Sequence, residues 1–168
     1  METQQTTTKN PPFELSAAGL ATVKKEMARY ETVESAIIPA LYVAQKENQG
    51  WINEQVIRTL SKVMELPESK INEVFKFYSM FNPKSVGKYH VQVCGTLSCH
   101  VNGAQDLMKH MCKELKVKMN EVTADGKFSI SHVECLGSCG TAPMMMINED
   151  YFENLTPESA MNLLRSLK

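Results

Sequence analysis

Four of the five cysteines fall in two close pairs: Cys94 and Cys99 in "CGTLSCHVNGA", and Cys135 and Cys139 in "ECLGSCGTAP". The pattern is C-x4-C, a gap of thirty-five residues, then C-x3-C. Thiols this close admit a disulfide, a redox dithiol or half of a metal site. Four converging thiolates suit thiophilic metals, chiefly an iron–sulfur cluster or zinc. Zinc sites commonly use C-x2-C on both sides, whereas x4 and x3 gaps fit ligands spread over a larger object; spacing alone leaves zinc open. A [2Fe–2S] cluster takes four cysteines in two pairs, which would give Cys94 and Cys99 to one iron and Cys135 and Cys139 to the other. A dithiol confined to Cys135 and Cys139 departs from the usual C-x-x-C and leaves Cys94 and Cys99 without a role.

The neighbours of these cysteines bear on the same question. Gly95, Gly137 and Gly140 would let backbone N–H groups reach the sulfurs of an anionic centre, and a helix opening near Gly103 would turn its positive end toward it. His100 and His132 lie close enough in sequence to raise a site of two histidines and two cysteines; with four cysteines present, both are expected on the surface or in hydrogen bonds. Cys112 is expected as a buried thiol packed like a small hydrophobe. Met144, Met145 and Met146 should alternate faces of a strand, and Pro143 before them is a candidate cis proline.

Positioning these loops falls to two kinds of segment. Residues 14–82 contain no cysteine and read as helices. Leu20, Val23, Met27 and Tyr30 form one stripe. Thr32 can cap a second helix, which runs to Gly50 with Pro39 kinking it or marking its start. Asn53 can cap a third, with Val56, Leu60 and Val63 on one face. Pro67 opens a fourth, carrying Ile71, Val74, Phe75 and Tyr78. Short connections predict a small antiparallel bundle. From 88 to 168 the pattern becomes β-α-β-β-α. Tyr89, Val91 and Val93 alternate in a strand. A glycine-bearing loop leads to a helix from about Gly103 to Leu115 with Ala104, Leu107, Met108, Met111 and Leu115 as its stripe. An Asp125-Gly126 turn precedes a strand through Phe128, Ile130 and His132, and Thr156 and Pro157 open the last helix. The expected class is α+β: a helical bundle followed by an α/β domain. If the two strands that end in cysteines are neighbours, both loops meet at one edge of the sheet.

Composition narrows the function classes. Of 168 residues, 43% are hydrophobic and 22% charged, as in ordinary globular domains, and a net charge of −1 argues against wholesale phosphate or nucleic-acid binding. The small basic clusters look offset by nearby acids. No apolar run reaches the roughly 20 residues of a membrane span. The polar stretch 1–13, "METQQTTTKNPPF", lacks the features of a secretory signal or transit peptide and reads as a disordered lead. The expected location is therefore cytoplasmic, where grouped cysteines more often bind metal or do redox chemistry than form disulfides. There is no G-x-G-x-x-G, phosphate loop or nucleophile–base pair, so no catalytic site is expected in this chain alone. Phe75, Phe77, Tyr78 and Phe81 are expected first as core, and as interface residues if several are exposed.

The stretches "VCGTLSCHVNGA", "ECLGSCGTAPMMMIN" and "LTPESAMNLL", with "IIPALYVAQKENQGWI" and "INEVFKFYSMF" before them, resemble the thioredoxin-like [2Fe–2S] subunit of the NADH-dehydrogenase module of respiratory complex I. Close relatives of that subunit occur in NAD-linked hydrogenases and formate dehydrogenases. The likeness covers roughly 14–168 and holds at all four ligand positions. It implies a thioredoxin-like domain over 88–168 with one [2Fe–2S] cluster on Cys94, Cys99, Cys135 and Cys139. It implies a role as an electron-transfer subunit of NADH:quinone oxidoreductase, peripheral at the inner face of the membrane. FMN and NADH would be bound by a partner flavoprotein subunit, which the helical part would help to dock. The same resemblance leaves an equivalent subunit of a hydrogenase or formate dehydrogenase open. A zinc-stabilised interaction protein is the alternative outside it.

Overall fold

The computed structural model describes residues 12–167, which form two compact units meeting in sequence at Ser85 and Val86. The polar lead expected over 1–13 lies, apart from residues 12 and 13, outside the described residues.

In the first unit, α1 (Ala17–Arg29), α2 (Ile37–Glu47), α3 (Glu54–Met64) and α4 (Glu68–Phe77) surround one apolar core. Ser16 caps α1 by accepting the Gly19 N–H, and its own N–H and hydroxyl donate to the Glu47 carboxylate at the end of α2. Thr32 precedes a 3-10 turn, Val33–Ala36, and not a helix. Pro39 then falls in the first turn of α2, where no N–H is needed, so it marks the start of the helix and does not kink it. The Gly50 N–H closes α2 onto the Gln45 carbonyl at 2.8 Å. Asn53 caps α3 as its sequence position foretells, accepting the Val56 N–H at 3.0 Å. Val23, Leu41, Val56, Leu60 and Ile71 are fully buried. Two aromatics expected on buried stripes are not inside. Tyr30 and Tyr78 both follow the last helical residue in extended backbone, which carries them off the stripe, and they are 39% and 36% exposed.

The second unit runs β1 (Tyr89–Cys94), α5 (Leu97–Val101), α6 (Ala104–Leu115), β2 (Phe128–Val133), β3 (Met145–Ile147), β4 (Asp150–Phe152) and α7 (Pro157–Ser166). Its sheet has the order β2-β1-β3-β4. The crossover through α6 makes β1 and β2 parallel, with Tyr89 opposite Phe128 and Cys94 opposite Val133. β3 and β4 form an antiparallel hairpin that adds to the other side of β1. The core holds Val91, Val93 and Ile130 with Leu107 and Met111 of α6 and Leu164 of α7. Thr156 and Ser159 form a reciprocal cap at the start of α7, which begins at Pro157. Among the described residues no helix is long and apolar enough to cross a membrane.

Three local expectations change. The stretch between β1 and α6 is not all loop, because α5 lies within it. The methionine run does not alternate throughout: the strand begins at Met145, so Met144 precedes it and both are fully buried, while Met146 is half-buried. Cys112 is half-buried, its thiol 3.4 Å from the Met119 sulfur, and burial raises its pKa. The Ala142–Pro143 peptide is cis.

Candidate metal centre

Both cysteine-bearing segments leave the same end of the parallel pair. Cys94 is the last residue of β1, and Cys135 follows two residues after the end of β2. The segments are laced together there. The Gly95 N–H donates to the Val133 carbonyl at 3.0 Å. The Ser98 hydroxyl donates to the Cys139 carbonyl at 2.9 Å. The Cys94 thiol lies 3.7 Å from the Glu134 carbonyl, and the Leu136 N–H points at the Cys94 sulfur. Two segments separated by thirty-five residues of chain are thus brought into one cluster.

The four thiols differ in setting. Cys94 and Cys99 are buried and adjoin each other; Cys135 and Cys139 are exposed. Cys99 does not lie on a loop but inside α5, which turns its thiol inward and leaves Leu97 and Val101 79% and 74% exposed. Burial alone would raise the pKa of Cys94. The Thr96 hydroxyl, 3.4 Å away, and the N–H groups of Thr96 and Leu136 favour its thiolate and bring it below the ordinary value. Burial, reinforced by the adjoining Cys94 and by Cys139, pushes Cys99 up to about 11 against the opposing Met144 N–H. The Gly137 N–H lies 3.4 Å from the Cys135 sulfur, at a φ of 76° that favours glycine. Among the described residues, no three His, Cys, Asp or Glu side chains are gathered tightly enough to hold a single metal ion. Two thiols lie on each of the two adjoining segments, and Cys139 is near enough to Cys99 to affect its titration.

The second segment is also held from behind. The Ser138 hydroxyl bonds Glu153 and Thr141, and the Asn154 N–H donates to the Thr141 carbonyl at 2.8 Å. His132 packs its ring over Gly95, where even a Cβ would overlap the imidazole; His100 is exposed. Neither histidine is among the thiol contacts. The donors that reach the sulfurs come from Thr96, Leu136, Met144 and Gly137, of which the sequence pointed only to Gly137. Hydroxyl residues beside the cysteines, Thr96 and Ser98, were the signal available for more.

A sheet in the order β2-β1-β3-β4 with one parallel crossover, carrying four cysteines on the segments at one end of it, defines a thioredoxin-like fold adapted to a thiolate-ligated centre. The chain belongs to the thioredoxin-like [2Fe-2S] ferredoxin family, whose model matches residues 23–168. Membership indicates an iron–sulfur cluster. Among its relatives, an NADH-quinone oxidoreductase subunit of Rickettsia felis is 47% identical over 77% of this chain and 78% of its own. The corresponding NADH-quinone oxidoreductase subunit of Rickettsia bellii is 40% identical over 96% of this chain and 98% of its own. The mitochondrial NADH dehydrogenase [ubiquinone] flavoprotein 2 of Dictyostelium discoideum is 38% identical over 94% of this chain and 64% of its own. The fold is also found in an NAD+-reducing [NiFe]-hydrogenase, with a TM-score of 0.64 and 21% identity over 75% of this chain and 23% of that one.

Proposed function

We propose that this chain is the electron-transfer subunit of an NADH:quinone oxidoreductase and holds one [2Fe–2S] cluster on Cys94, Cys99, Cys135 and Cys139. When bound, that cluster takes up and passes on single electrons. The observation that carries the reading is the meeting of the two cysteine loops at one end of the β1–β2 pair, tied by Ser98 and by the contacts of Cys94. The donor set fits the group. Each of the two adjoining segments supplies two thiols, and backbone N–H groups already face the sulfurs of Cys94, Cys99 and Cys135. We assign Cys94 and Cys99, which lie on one segment and influence each other's titration, to one iron and Cys135 and Cys139 to the other.

The protein's own task is to fix the position of the centre, orient N–H dipoles toward its charge and keep water from the buried pair. Near full-length similarity to an NADH-quinone oxidoreductase subunit supports that parent complex over an equivalent role in a hydrogenase. In that complex a partner subunit would bind FMN and NADH and supply the electrons, and the helical unit over 14–82 would help dock it. The location would be peripheral, at the inner face of the membrane.

The test is the absorption and paramagnetic spectra of the purified chain. A red-brown protein that bleaches with dithionite and gives a reduced-state signal is expected. Exchange of any one of the four cysteines for serine should abolish or alter that signal. A colourless, zinc-loaded protein, or four serine variants with unchanged iron and spectra, would overturn the reading.

A further inference from the structure

Beside α6 lies an open groove of about 610 Å³ with an apolar floor that includes Met108, Cys112 and Met119. Its rim carries Lys109 and Lys113, one helical turn apart, and Lys118 from the segment that follows. None of the three makes an ion pair among the described residues. The sequence suggested that basic clusters are offset by nearby acids; Asp106 and Glu121 flank this one in sequence, but neither pairs with its lysines among the described residues. The single acid between residues 107 and 119 is Glu114, and Arg165 of α7 holds it at 3.2 Å. In a chain of net charge −1, this leaves a cationic fringe around half-buried sulfur-rich apolar surface.

We propose that this groove docks an acidic amphipathic helix of a partner protein. The charge pattern selects that occupant. Lysines about 6 Å apart along α6 match carboxylates repeating every four residues on a helix, whose apolar stripe would cover the floor. Methionine side chains adapt to such a stripe without a fixed pocket shape. Residues 1–11 of this chain are a poor match, with one acid, one base and no large apolar residue besides Met1. The proposal does not depend on the cluster: the groove's floor and rim use none of the four paired cysteines.

Cys112 on the floor reports occupancy. The probe is a labelled helical peptide of Glu and Leu, with Leu at helical spacing, added to the full iron-loaded chain. Controls replace its Glu by Lys, or its Leu by Ser. Saturable binding is expected for the Glu–Leu peptide only. It should weaken at least tenfold in K109E/K113E/K118E and to a lesser degree in K109Q/K113Q/K118Q. Alkylation of Cys112, followed by peptide mapping, should slow several-fold at saturation. Equal binding by either control peptide, equal binding by the charge-reversed variant, or unprotected Cys112 would overturn the proposal. So would sedimentation as a dimer that protects Cys112 without peptide, which would assign the groove to a second copy.

Discussion

His90 should make the second unit acid-labile within a defined window. It lies on the polar face of β1, opposite Ser129 in the register, with Nδ1 2.8 Å from the Ser129 hydroxyl and Nε2 3.3 Å from that of Ser131. The Ser129 oxygen also accepts the Gly87 N–H at 3.0 Å, which ties the pair to the start of the second unit. Burial lowers the His90 pKa from 6.5 to about 4. Below about pH 6.5 the unfolded chain takes up a proton that the folded chain refuses until about pH 4. The contribution is therefore complete above the unfolded value and is lost as pH falls through this window. The gap corresponds to about 3 kcal/mol between its limits, and about 2 kcal/mol is lost between about pH 7.5 and about pH 5. Residual solvent contact makes these upper bounds. Urea denaturation of the wild type and His90→Gln at both pH values isolates the effect, because acid damage common to both cancels. Wild type should lose about 2 kcal/mol more than the variant. An unchanged gap, or an imidazole resonance titrating near 6.5, would refute the reasoning.

Two further outcomes follow from single contacts. Ser98→Ala removes the hydroxyl that joins the two cysteine segments. With about 1 kcal/mol for such a bond, iron release to a chelator, followed by visible bleaching, should quicken about fivefold with the fold intact. Gly87→Ala would set a Cβ 2.7 Å from the Ser129 nitrogen and closer still to the Phe128 carbonyl carbon; strand backbone must move, and stability in denaturant should fall by about 2–3 kcal/mol.

Helical periodicity located the buried stripes well but could not say where a helix stops. Ile71, Val74 and Phe75 recur at helical spacing, and extending the stripe one step adds Tyr78; likewise Val23 and Met27 lead to Tyr30. In both cases the chain turns extended one residue after the helix, so the last member of the stripe departs from it. Phe77 lies off the stripe and is 79% exposed, whereas Phe81 is buried against Tyr42. End positions depend on caps and on tertiary partners, such as the Gln45 side chain that accepts the Asn82 N–H, and such partners leave no periodic trace.

The meeting of the two cysteine segments was legible for a different reason. A strand, a crossover helix and a second strand admit nearly one handedness, and if those strands are neighbours, cysteines at both strand ends must emerge side by side. Types and spacing therefore pointed to the four thiols. What they could not reveal was asymmetry. At five residues α5 is too short to declare a period, and its Thr-Leu-Ser-Cys composition reads as loop; yet its one turn buries Cys99 and lifts Leu97 and Val101 into solvent. The N–H groups aimed at the sulfurs are equally silent in sequence, because a backbone donor is common to almost every residue type and only the path of the chain selects it. The choice of candidate donors is thus a property of the sequence, whereas the environment that would set a cluster's potential is a property of the fold.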